Sequence, residues 1–199
     1  MKKLFLTFAV VFMAIAANAQ VWMGGSFGFN VSKDNPGDKP VYLYSIAPEI
    51  GYSIAPRWDV AVGLGYAGSY SKDVTTLPIL GDITTIYSES EFSVEPYVRY
   101  TIFDLGKVGF FVDCGVKYTT GKETTTANGE MVPGYPEKST YFFAGLQPGI
   151  KYAASDKITF AARIGSLGYN KTSNKFGESS IYGVNVANSA FTLGFWWAF

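Results

Sequence analysis

The sequence contains no histidine and only one cysteine, Cys114. The first absence excludes every Ser-His and Cys-His catalytic pair and every histidine-ligated metal. The second excludes an intrachain disulfide, so packing and hydrogen bonding carry the stability. An excess of basic charge is missing as well: 16 basic residues face 16 acidic ones, which gives a phosphate backbone nothing to follow and argues against nucleic acid as a partner. Past residue 19 no run of about 18 or more apolar residues occurs, so no transmembrane helix is available. A closed β-barrel is then the remaining way for the chain to cross a bilayer.

What the sequence does contain starts with Lys2 and Lys3, an apolar run from Leu4 to Ala17, and the small-residue pattern Ala17-Asn18-Ala19. These are the parts of a secretory signal peptide. The apolar run is too short to span, and no cysteine follows the small residues as a lipoprotein signal would require. Residues 1–19 are therefore expected to be cleaved, leaving residues 20–199 as a single domain.

Beyond that point apolar and polar residues alternate with period two, in runs of about ten separated by Gly, Pro, Asn, Asp, Ser and Lys clusters. Trp22 to Val31 is the first run. Three longer hairpins follow, anchored by a repeat of roughly fifty residues: Pro48-x-Ile50-x-Tyr52, Pro96-x-Val98-x-Tyr100 and Pro148-x-Ile150-x-Tyr152. A short turn comes after each tyrosine (53–57, 101–106 and 153–157), then a returning strand. With the last run, 190–199, the count is eight, and pairing the first strand with the last leaves no open edge. The other connections, 32–40, 71–82, 119–139 and 170–181, are expected to be longer polar loops. Short turns at one end and long loops at the other are the asymmetry of transmembrane barrels.

One face of these strands is apolar. It carries Tyr42, Tyr44, Ile46, Phe92, Val94, Phe142 and Leu146, and on the returning strands Trp58 to Tyr66, Val108 to Tyr118 and Ile158 to Ile164 at every second position. Lipid is the natural contact for that surface. The opposite face collects Glu49, Asp59, Glu91, Glu95 and Asp113 against Arg99, Lys107, Lys117, Lys151 and Arg163, with Gln147 among them. Glycines interspersed on that face (Gly51, Gly63, Gly65, Gly109, Gly115, Gly145, Gly149, Gly165) leave room for long side chains in a narrow interior. An unpaired buried ion is costly, so these balanced charges are expected to pair across the lumen.

The export signal, the alternating strands and the closing segment Ala190-Phe191-Thr192-Leu193-Gly194-Phe195-Trp196-Trp197-Ala198-Phe199 resemble the small outer-membrane β-barrel family that includes the OmpA transmembrane domain, OmpX and OmpW. The resemblance implies an eight-stranded antiparallel up-and-down barrel in the outer membrane of a Gram-negative bacterium. It also implies that Phe191, Leu193, Phe195, Trp197 and the terminal Phe199 form the signal read by the outer-membrane assembly machinery. Activity does not follow from it, because this fold hosts adhesins, anchors, small pores and a few enzymes.

Other apparent motifs lose their context on inspection. Gly63-Leu64-Gly65-Tyr66-Ala67-Gly68 fits the dinucleotide pattern, but no helix follows to hold a pyrophosphate. Gly24-Gly25-Ser26-Phe27-Gly28 fits a nucleophile elbow, which needs a strand-to-helix turn and a base that this chain lacks. Glu91 and Glu95 fall on one strand face, where a salt-bridge cluster with Arg99 and neighbouring lysines is the plainer reading than acid–base chemistry. Cys114 falls on the apolar face as a small hydrophobe, and the sequons at Asn30 and Asn170 mean little in a bacterial barrel. No cofactor or metal is implied.

Three functions fit these features. The first is a non-enzymatic barrel with a rigid interior, whose outer loops meet surface ligands or simply cover the cell surface; Lys122, Glu123 and Tyr135, in the longest predicted loop, are its candidate contacts. The second is a narrow porin-like conduit for small, including hydrophobic, molecules, lined by Glu49, Glu95, Arg99 and Lys151. The third is a soluble lipocalin-like carrier, which would need its charges outside and its apolar side chains within.

Overall fold

The computed structural model describes residues 21–32, 39–77, 81–186 and 191–199. The expected signal peptide and the core of the 32–40 connection lie outside the described residues.

Among the described residues all the regular elements are strands: β1 (Val21–Ser32), β2 (Val41–Ala55), β3 (Trp58–Leu77), β4 (Gly81–Leu105), β5 (Val108–Ala127), β6 (Glu130–Met131), β7 (Glu137–Ala153), β8 (Ile158–Ile164), β9 (Ser166–Asn174), β10 (Gly177–Asn185) and β11 (Phe191–Ala198). Every pairing is antiparallel, and the ladders run in a ring from β1 through β2, β3, β4, β5, β7, β8 and β11 back to β1. The closing seam pairs Trp22 to Gly25 with Ala198 to Phe195.

The eight expected walls are present, but two are divided. β8 and β9 both pair with β7, and the register slips by one residue between them at Gly165, whose φ of 78° suits glycine. β10 pairs with β9, and β11 with β8 and β1, so together they make the last wall. β6 is a two-residue addition beside the end of β5.

Short turns join β2 to β3, β4 to β5 and β7 to β8 at one end, as the repeated motif predicts. The other end departs from expectation. Of the expected loop 71–82, residues 71–77 and 81–82 are paired strand, since β3 and β4 stay together out to Leu77 and Gly81. Of 119–139 only 128–136 falls outside the main ladder, and 170–181 is a hairpin turning at Lys175–Phe176. Alternating Thr, Ser and charged residues continue the strands after the apolar pattern stops, because paired backbone satisfies its own hydrogen bonds whatever the side chains are. β4 reaches 25 residues, well over the ten or so that cross a bilayer.

The side chains sort by face as alternation requires. Outward lie Phe27, Ile46, Leu64, Phe92, Val116 and Phe160, all exposed and apolar. Two aromatic belts bound this surface. Trp58 stacks with Tyr100 near the short turns, while Tyr44 with Tyr66, and Phe142 with Tyr169, mark the other rim. Between Tyr100 and Phe92 a tilted strand climbs about 20 Å, close to the height of an outer-membrane apolar band. Apolar outside and charged inside is the reverse of a soluble carrier, and the lipocalin alternative falls on it.

Candidate functional site

The interior on the short-turn side is closed by a packed cluster. Arg99 and Asp113 are register partners on β4 and β5, each only 2% exposed, and they meet in two parallel hydrogen bonds of 2.6 and 2.8 Å. This fork geometry fits a guanidinium to a carboxylate. Arg163, on β8, donates from Nε to the same Asp113 at 2.8 Å and from its two terminal nitrogens to Glu49 at 2.8 and 3.2 Å. Tyr97 donates its hydroxyl to Glu49 at 2.5 Å. Two acids, two guanidiniums and a phenol thus satisfy one another across four strands.

Aromatic rings hold the cluster in place. The Arg99 guanidinium lies 4.1 Å from the Phe111 ring centroid and 4.0 Å from that of Trp196, with Trp22 and Tyr97 a little farther off. Arg163 sits 4.9 Å from the Tyr97 ring. Desolvated contacts between cations and ring faces of this kind stabilise by about 2 kcal/mol each. Charges and rings are buried together in a layer spanning the lumen.

None of these four rings was picked out by the sequence reading, though alternation could have found them. Tyr97 and Phe111 share the parity of Arg99 and Asp113, and Trp22 that of Gly24. Two of the lumen glycines are explained by the same rings. A side chain at Gly51 would run into the Trp22 ring and at Gly149 into that of Phe111, whereas at Gly115 it would meet the backbone of Pro96 and Tyr97, and at Gly109 the side chains of Asp104 and Lys151. The glycines make room for long charged chains at Gly63 and Gly109 and for aromatic rings at Gly51 and Gly149.

The remaining predicted lumen residues spread along the barrel rather than joining this cluster. Lys117 and Glu95 approach to 3.9 Å above it, and Glu91 and Gln147 line the same cavity of ≈ 330 Å³. Below it, Lys151 donates to Thr101 at 3.1 Å and lies 3.4 Å from Asp104, while Ser53 donates to Asp59 at 2.5 Å. Lys107 is exposed in the β4–β5 turn and lies at the mouth, not in the lumen. A second cavity of ≈ 580 Å³ opens there, and the upper and lower cavities share no lining residue, because the cluster stands between them.

Past the upper belt the interior changes character. Glu89, Glu123 and Glu137 are register neighbours on β4, β5 and β7, and all three line one cavity. Burial, then the nearby Glu91 and Glu123 charges, raise the pKa of Glu89. Glu137 meets Lys175 at 2.6 Å, and Lys175 also lies over the rings of Tyr135 and Phe176. That contact joins the 128–136 loop to the β9–β10 turn. Of the three predicted loop contacts, only Tyr135 is on a loop. Lys122 and Glu123 are strand residues, the first facing outward and the second inward.

Asn170 accepts a hydrogen bond from Tyr141 inside the barrel, so that sequon is not a surface feature. In the closing strand Leu193, Phe195 and Trp197 face outward and Phe199 is exposed. Phe191 begins β11, and its side chain lies outside the described residues. Among the described residues no group of three or more potential ligands is arranged to hold a metal.

The family model described as outer membrane protein beta-barrel domain matches residues 4–199, and the chain belongs to that family. It is a protein of the Gram-negative outer membrane, lying in the lipid bilayer. No curated protein matches it in sequence. Among solved structures it is similar to neisserial surface protein A, with 13% identity, TM-score 0.47, and coverage of 92% of this chain and 98% of that one. A major outer membrane protein from Thermus thermophilus shows 14% identity and TM-score 0.43 over 90% of this chain and 99% of that one. The Yersinia pestis outer membrane protein Ail shows 13% identity and TM-score 0.36 over 90% and 99%.

Proposed function

We propose that this chain is a non-enzymatic outer-membrane barrel with a plugged lumen, exported on a signal peptide over residues 1–19, whose role is structural or recognitional at the cell surface. The buried layer of Glu49, Tyr97, Arg99, Asp113 and Arg163 among Trp22, Phe111 and Trp196 carries the reading. It fills the lumen with mutually satisfied groups, leaves no nucleophile beside a base, and separates the cavities on its two sides. Recognition then falls to the strand extensions and the 128–136 loop, and the terminal strand with Phe199 serves as the assembly signal.

Single-channel recording of the refolded protein in a planar bilayer tests the plug, with a heat-shifted gel band to verify that a barrel is present. A silent bilayer is expected. Steady ion-selective steps that change on Arg99→Ala would replace this reading with a pore. Replacing 128–136 by a short turn tests recognition: whole-cell binding to host or abiotic surfaces should fall, and unchanged binding would leave only the structural role.

A further inference from the structure

On two consecutive rungs of the β5–β7 ladder, like charges stand directly opposite each other. Glu123 faces Glu137, and the next rung pairs Lys122 with Lys138. Such pairs are destabilising unless a counter-charge answers them. The glutamates point into the barrel, where Lys175 reaches Glu137 at 2.6 Å. By strand alternation the lysines point out, and both are exposed. No described residue answers them: the acids of β4, β5 and β7 at this level face inward, and the outward Glu178 is taken by Lys171 at 2.8 Å.

The position of the pair identifies what could answer it. Four rungs below, on the same outward face, lie Tyr118 and Phe142, members of the upper aromatic belt, with Thr120 and Thr140 between. Ser90 is the β4 partner of Lys122. Four residues of tilted strand rise about 10 Å, and a lysine stem can bend back along an apolar surface toward the interface. We infer that the outward face of β4, β5 and β7 around Lys122 and Lys138 binds the phosphate group of an outer-leaflet lipid. Two ammonium groups and a fringe of hydroxyls complement a phosphate, and the patch is continuous with the lipid-facing belt that would hold the acyl chains.

The test uses the full mature chain refolded into phosphatidylcholine vesicles containing either diphosphorylated lipid A or its dephosphorylated counterpart. The barrel is then extracted in mild detergent and the lipid it retains is quantified. The wild-type barrel is expected to retain the phosphorylated lipid selectively. Retention should fall about fivefold for each lysine removed in Lys122→Gln and Lys138→Gln, while Lys72→Gln, an outward lysine on β3, retains it fully. Because both target lysines are exposed, each variant should still show the heat-shifted band. Equal retention by the double variant, equal retention of the dephosphorylated lipid, or displacement of the lipid by millimolar inorganic phosphate alone would each overturn the assignment.

Discussion

On the short-turn side of the barrel Arg99 faces Asp113 across a rung; beyond the upper belt Glu89 faces Glu123 and Glu123 faces Glu137. Both arrangements come from one alternation of inward and outward residues, yet the first is buried, ring-packed and neutral, and the second is an open row of like charges. The difference follows from the surroundings. Within the bilayer the lumen cannot be left with uncompensated ions, so opposite charges converge and aromatics fill the rest. Above the bilayer water and a single lysine suffice, and the strands are held mainly by their backbone ladders.

Breaking the lower cluster should have the largest effect. Asp113→Ala strips the carboxylate from both Arg99 and Arg163, and a loss of about 3–5 kcal/mol is expected, read from urea unfolding of the vesicle-embedded barrel by the heat-shifted band. A loss under about 1 kcal/mol would mean the cluster behaves like a surface pair, and the contrast between the halves would collapse. Tyr97→Phe removes only the hydroxyl that reaches Glu49 and should cost about 1.5 kcal/mol by the same measurement.

In the upper half Lys175→Ala removes the bridge between Glu137 and the Tyr135 and Phe176 rings. Protease cleavage within 128–136 should speed up several-fold while the unfolding midpoint of the barrel stays put. A shifted midpoint would show that the extensions fold with the membrane-spanning part as one unit.

The smallest effect concerns pH. Glu89 keeps its proton to higher pH in the folded extension than when unfolded, because burial and the neighbouring Glu91 and Glu123 charges raise its pKa. Protonation therefore favours the folded extension. The gain is complete below the ordinary glutamate pKa and is lost as pH rises through the raised value. Amide exchange in β4 beyond Phe92 should slow on mild acidification, and Glu89→Gln should flatten that response.

Period-two patterning, glycine and proline punctuation and the tyrosine-ended repeats determined the strand walls, the short turns and the division into a lipid face and a charged face, because a strand has only two sides and water, lipid and lumen select for different side chains on them. The membership of Glu49, Arg99, Asp113 and Arg163 on the inner face was legible for that reason. Which of those charges meet was not. Arg163 reaches Glu49 across 114 positions of sequence, a contact set by the shear and closure of the ring, and those depend on all the ladders together. The ring-lined seat of Arg99, the slip at Gly165, and the continuation of β3, β4 and β5 through segments that read as loops were likewise decided by the tertiary structure. Polar sequence alone does not distinguish a loop from a strand whose backbone is already paired, and the pairing comes from the neighbouring strand rather than from the segment itself.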